Sequence, residues 1–383
     1  MTALALTNVT LVLPDREITD HVLLIEHGRI AAIVAAVDIP PAFTVNDLGG
    51  GWLLPGFIDT QVNGGGDVLF NDSPDVAGIT AIAAAHRRFG TTGLLPTLIS
   101  DRPDIIERAI TAVDQAIAEH VPGVLGIHVE GPHLNAAKHG IHDETKFTLI
   151  DGTAIERLTT KTQGVRLVTL APELAPPGAI AALNERGVIV AAGHSTADYD
   201  QTRAALREGL RGFTHLFNAM TQLTSRAPGM VGAAIEDRAS WFGLIVDGVH
   251  VHPATLRIAL AARGLEGAML VTDAMPPVGG SQTSFTLMGK AIAVVDGTCR
   301  GSDGTLAGSA LSMAQAFRNA IDLLGVSMVQ ASRMASGNAA TFLGLDKETG
   351  VIRAGLRADL VHLDAQRRVR RTWIGGALSE RGE

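Results

Sequence analysis

Five apolar runs in the middle of this chain each lead to a polar side chain that could hold a metal or move a proton. Glu130 closes Val124-Leu-Gly-Ile-His-Val-Glu130, and His194 closes Val188-Ile-Val-Ala-Ala-Gly-His194. His215 sits in Gly212-Phe-Thr-His215-Leu-Phe, His250 ends Phe242-Gly-Leu-Ile-Val-Asp-Gly-Val-His250, and Asp273 ends Ala268-Met-Leu-Val-Thr-Asp273. Short apolar runs of this kind read as strands buried on both faces, the type found in parallel sheets. Parallel neighbours need crossover connections, usually helices. Ala-rich stretches with helical periodicity do lie between the runs, at 76–89, 105–120, 179–186, 197–208 and 253–263. Strand candidates at 53–60, 92–98, 124–130, 166–171, 188–194, 212–217, 242–249 and 268–273 make eight. Eight strands alternating with helices over roughly 250 residues is the arithmetic of an α/β fold of the (β/α)8 barrel type. An open doubly wound sheet is the alternative, weakened because no GxGxxG fingerprint or P-loop follows any strand.

The two ends read differently. Residues 1–50 alternate as strands do, with turns at Pro14-Asp15, His27-Gly28 and Pro40-Pro41, and residues 345–383 show similar short runs. Neither end has the apolar residues for a core of its own. The two are expected to pair into one small β-sandwich, leaving 51–344 for the barrel. In a chain of 383 residues, 46% hydrophobic and 18% charged side chains suit a large core. A net charge of −8 gives no reason to expect nucleic acid as a partner. The single Cys299 excludes an internal disulfide and reads as an idle thiol. No basic residue precedes Arg16, so no secretory signal is expected, and no apolar run approaches the roughly 20 residues of a membrane helix. The expected compartment is the cytoplasm, with no membrane partner. Two long connections, 131–145 and 276–308, leave the rim where the polar residues gather, and loops of that length are often lids or binding loops. The first carries His133, Lys138, His139 and His142.

In a parallel barrel every C-terminal strand end opens on one face, so Glu130, His194 and His215 converge there. One carboxylate and two imidazoles suit a divalent ion that keeps a water on its open position. Asp273, at the eighth strand, could then move the protons. The pattern points to a metal-dependent hydrolase. His128 lies two residues before Glu130, on the same face of the strand. His-x-Glu invites a zinc nucleobase deaminase reading, but that needs a Pro-Cys-x-x-Cys partner, which a chain with one cysteine lacks. His128 is expected beneath the metal or in the core.

At this level of detail the chain resembles the N-acetylglucosamine-6-phosphate deacetylase family of the amidohydrolase superfamily. The resemblance is carried by Leu54-Pro-Gly-Phe-Ile-Asp-Thr-Gln-Val-Asn-Gly64, Gly126-Ile-His-Val-Glu-Gly-Pro132, Gly193-His-Ser195, Thr214-His-Leu-Phe-Asn-Ala-Met220, Asp247-Gly-Val-His250, Thr272-Asp-Ala-Met275 and Asp303-Gly-Thr-Leu-Ala-Gly-Ser-Ala310. It spans essentially the whole chain. It implies hydrolysis of the acetamide of N-acetyl-D-glucosamine 6-phosphate to D-glucosamine 6-phosphate and acetate, in amino-sugar catabolism or cell-wall recycling. It implies a metal on Glu130, His194 and His215, a proton shuttle at Asp273, and His142 as hydrogen-bond donor to the acyl oxygen. It implies substrate contacts from Asn218, Ala219, His250 and Leu306. It also implies that Arg226 reaches a phosphorylated amino sugar in a neighbouring subunit, which calls for a homodimer or tetramer. Many amidohydrolases carry His-x-His after the first strand and hold a second metal there. Here the position reads Gln61-Val62-Asn63. Amides are poorer ligands than imidazoles, so one metal ion is expected, zinc foremost, with iron, manganese or cobalt also compatible with the ligands.

The main rival is a dihydroorotase-like amidohydrolase acting on a cyclic amide. That class leans on the His-x-His pair and often on a carboxylated Lys after the fourth strand. Here the fourth strand runs into Leu170-Ala-Pro-Glu173, without a Lys. A barrel that merely scaffolds other proteins is disfavoured by the full ligand set together with Asp273.

Overall fold

The computed structural model describes residues 3–160 and 163–381. The apolar runs form eight strands, labelled here β1–β8: Phe57–Val62, Thr91–Ile99, Gly126–Glu130, Val165–Leu170, Val188–Ala192, Gly212–Phe213, Trp241–Leu244 and Ala268–Leu270. They lie side by side in chain order and pair in parallel. The sheet closes where Asp273 N donates to Gln61 O at 3.0 Å, beside a parallel bridge between Val62 and Ala274. Outside the barrel, Ile82, Ile106, Ile110 and Val113 from the first two helices pack with Leu98 and Val129. Ile58, Leu95, Leu167, Ile189 and Met269 pack with Phe342 in a separate cluster. Helices on one side and a filled interior on the other explain why β2 and β3 are buried along their whole length.

The strands stop short of the apolar runs. The expected strands 188–194, 212–217 and 268–273 end instead at Ala192, Phe213 and Leu270, and the run 242–249 keeps strand pairing only to Leu244. His194, His215 and Asp273 have positive φ, which breaks the strand ladder and turns each side chain over the rim. The run 53–60 is divided. Trp52–Pro55 pairs with Leu360–Leu363, and β1 begins only at Phe57. Gly56 lies at the join, where a Cβ would fall 2.1 Å from Thr92 Oγ1.

Trp52–Pro55 thus belongs to a six-stranded sheet built from both ends of the chain, with Thr10–Val12, Glu17–Ile18, Leu360–Leu363, Val369–Ile374 and Ala377–Arg381. A four-stranded sheet of Leu4–Thr7, His21–Glu26, Arg29–Ala35 and Thr44–Asp47 faces it. Leu6, Leu23, Ile25 and Ile30 from one sheet pack against Leu11, Leu53, Leu360 and Trp373 from the other, so both layers share one core. The connection 276–308 folds further than its sequence announced. Besides Ser284–Leu287 and Lys290–Val295, it pairs Thr298–Gly301 with Leu306–Ser309, strands too short and Gly-rich to read as strands in isolation. Leu287, Ile292, Cys299 and Ala307 anchor this sheet against Met275, Leu69 and Ile99. Among the described residues no helix is long and apolar enough to cross a membrane.

Candidate active site

Glu130 is the last residue of β3, whereas His194, His215 and Asp273 follow β5, β6 and β8 with φ of 49°, 34° and 52°. Left-handed backbone at non-glycine residues costs on the order of 1–3 kcal/mol each and persists only where neighbours hold it. They do so here. Asn135 N donates to His194 O at 2.9 Å, Asn218 N to His215 O at 3.0 Å, and Ser309 N to Asp273 O at 2.8 Å.

The three donor groups meet. Glu130 Oε1 lies 3.2 Å from His194 Nε2 and 3.1 Å from His215 Nε2, and the two Nε2 atoms are 3.1 Å apart. A tetrahedral ion with bonds of about 2.0–2.1 Å needs a triangular face of donors at close to this spacing. His194 Nδ1 donates to Lys138 O at 2.8 Å, which leaves its Nε2 lone pair for a cation. Two imidazole nitrogens that face each other can share one proton, but a cation satisfies both. All three side chains are buried. The donor set therefore fits a single divalent ion.

The electrostatics agree with that fit. Burial opposes ionisation of Glu130, but hydrogen bonds and charge from His194 and His215 hold its carboxyl well below the usual range. Burial pushes His215 down, and Glu130 more than offsets this and raises it. Burial, reinforced by the neighbouring His194, keeps the His142 imidazole neutral far below its ordinary pKa. Asp273 is raised by burial and by the negative charge of Glu130.

Gln61, in β1, and Asn63, just after it, reach two of the carboxylates. Gln61 Nε2 donates to Glu130 Oε2 at 3.1 Å and to Asp273 Oδ1 at 3.2 Å, and Asn63 Nδ2 donates to the same Asp273 oxygen at 2.6 Å. Amide N–H groups here do what a second cation would do, holding two carboxylates of like charge close together.

These residues open into a cavity of about 540 Å³. Its wall includes Asn63, Glu130, His142, His194, His215, Asn218, Ala219, His250, Asp273 and Leu306 from the sequence reading. Gln61 lies just beneath, in the barrel interior. His250 is steered by Asp247, whose Oδ2 accepts from Nδ1 at 2.6 Å. The exposed Arg226 is not brought to this cavity by its own chain. Sequence reasoning missed Ile141, Met275, Asp303, Thr305 and the wall position of Gly140, and left Lys138 and His139 without a role. Loop residues carry no periodic signal. Gly140 is nevertheless a close approach, since a Cβ there would lie 3.3 Å from His194 Cε1. His128 lies in the barrel interior, its Nε2 2.7 Å from Thr169 Oγ1, and burial lowers it to about 4. Glu173, after the fourth strand, accepts from Ser195 Oγ at 2.6 Å and Thr196 N at 2.6 Å. Cys299 is buried and its thiol is pushed up to about 12, which leaves it inert.

Residues 52–378 match the model of the amidohydrolase family. The chain is 44% identical to an N-acetylgalactosamine-6-phosphate deacetylase of Shewanella sp. (strain ANA-3), covering 87% of this chain and 84% of that protein. It is 38% identical to the human N-acetylglucosamine-6-phosphate deacetylase over the same shares of the two chains. The crystal structure of N-acetylglucosamine-6-phosphate deacetylase from Pasteurella multocida superposes with a TM-score of 0.95 at 32% identity, covering 98% of this chain and 99% of that one. This chain belongs to the amidohydrolase family and, within it, to the N-acetylglucosamine-6-phosphate deacetylase family.

Proposed function

We propose that this protein hydrolyses the acetamide of N-acetyl-D-glucosamine 6-phosphate, releasing acetate and D-glucosamine 6-phosphate. The observation that carries the reading is the Glu130–His194–His215 donor triangle with Asp273 held beside it by Gln61 and Asn63. Glu130, His194 and His215 would hold a divalent ion, zinc in our reading, which would make a water acidic enough to attack near neutral pH. Asp273 takes a proton from the attacking water and delivers it to the departing nitrogen. His142, neutral and facing the cavity, donates to the acyl oxygen as it gains negative charge. Asn218, Ala219 and His250 bind the sugar and its phosphate, and Leu306 lies against the acetyl or sugar. The reading places the enzyme in the cytoplasm, within amino-sugar catabolism.

Arg226 supports a dimer in this reading. It is exposed, as is Leu223 beside it, and a guanidinium suits bidentate contact with a phosphate. We assign it to the phosphate in the neighbouring subunit. A second substrate also has support, because the 44% identical relative is named for the galactosamine compound, which differs only at C4.

Four outcomes test these assignments. Acetate release should be fast from the 6-phosphate, slow from unphosphorylated N-acetylglucosamine, and lost on metal stripping. Release from neither sugar by the metal-loaded enzyme would sink the substrate assignment, and the C4 epimer assayed alongside measures the second substrate. Asp273→Asn should keep its metal and lose turnover by about 10³-fold; near-normal turnover would exclude Asp273 as the shuttle. Arg226→Ala should raise KM for the phosphorylated sugar roughly 10–100-fold, and an enzyme that sediments as a monomer would contradict the assignment across subunits. Finally, Glu130 raises His215 in the metal-free protein, so protons compete for its Nε2 at higher pH than for free imidazole. Zinc affinity, measured against a chelator, should fall as pH drops through that raised pKa, approaching about tenfold per unit. An affinity that stays flat as the pH falls would show that no proton is displaced.

A further inference from the structure

The loop bearing His142 leaves the barrel after β3, but the group that orients its ring comes from the end of β2. Ser100 directly follows β2 and is buried. Its Oγ lies 2.8 Å from His142 Nδ1, and its backbone N–H donates to the same nitrogen at 3.3 Å. A backbone N–H can only donate, so Nδ1 acts as an acceptor. An imidazole that is neutral and accepts at Nδ1 carries its proton on Nε2.

The surroundings hold this arrangement. The ring packs against His194 with centroids 4.5 Å apart and meets Phe147 edge-on at 6.3 Å. Gly131 leaves the room, since a Cβ there would fall 2.2 Å from Ser100 Oγ. The next residue, Asp101, pairs with Lys146 Nζ at 2.9 Å. Ser100 and Asp101 together seat both ends of the segment 142–146. The other hydrogen-bond acceptor near the Ser100 hydroxyl is Glu130 O, at 3.5 Å, so the shorter contact to His142 governs its direction.

We propose that Ser100 is a positioning residue that holds His142 as the Nε2–H tautomer, with that proton presented to the cavity. The inference rests on the reading of His142 as donor to the acyl oxygen. With the opposite tautomer, a lone pair would face an oxygen that gains negative charge during the reaction. The interaction would then be repulsive.

Two measurements on the zinc-loaded enzyme test this. In protein labelled with nitrogen-15 histidine, the His142 signals are assigned by their loss in His142→Gln. Nε2 should show a bound proton and Nδ1 should not; a proton on Nδ1 would overturn the proposal. Separately, Ser100→Ala should lower kcat about tenfold, the low end of what losing the partner of a metal-ligating histidine costs. Zinc content and KM should hold, and Ser100→Thr should restore the rate. A loss of rate that merely follows lost zinc or lowered melting temperature would make Ser100 structural only, and an unchanged kcat would remove its role. If the native enzyme releases no acetate at all, the deacetylase reading fails, and the nitrogen signals then decide the tautomer alone.

Discussion

One buried carboxylate organises this rim. Glu130 is almost entirely removed from water, and an ionised carboxylate in such a place costs several kcal/mol unless it is paired and hydrogen-bonded. Its oxygens lie against His194, His215 and Gln61, drawn from three other places in the chain, where Gln61 donates directly and a cation held with the two imidazoles would neutralise the charge. Satisfying Glu130 therefore requires β1, β3, β5 and β6 to present their ends together. That demand and the closure of the barrel reinforce each other: a slip in strand register would leave a charge buried without partners.

The barrel was legible because burial on both faces of a parallel strand leaves a strong mark on sequence. The polar residues singled out in or after those runs, Glu130, His194, His215 and Asp273, are brought to one cavity at the rim. Strand ends were less legible. An apolar run continues through Gly193 and Thr214, but the ladder ends earlier because the ligands sit in left-handed backbone, which pattern alone does not report. The split at Gly56 was hidden for a related reason. Trp52–Pro55 and β1 are both apolar, and only the partners tell them apart.

The loops were the least legible part. Lys138 was noticed only as a residue of the long loop, yet what the structure uses is its carbonyl, the acceptor for His194 Nδ1. Backbone acceptors exist at every residue, so no side-chain pattern marks them. Ser100 is similar. It ends the β2 run as modestly as any serine, and its meaning depends on a loop some forty residues later. By contrast Gln61 and Asn63 stood out in the sequence, and the structure gives them N–H contacts with Glu130 and Asp273.

Trp52–Pro55 pairs with Leu360–Leu363, a strand roughly three hundred residues away in sequence. Contacts so distant in sequence are slow to form. β1 follows Trp52–Pro55 after a single glycine, so the strand that carries Gln61 is tethered to a long-range pairing. A change that weakens Leu360–Leu363 would therefore reach the rim through β1, although none of those four residues lines the cavity.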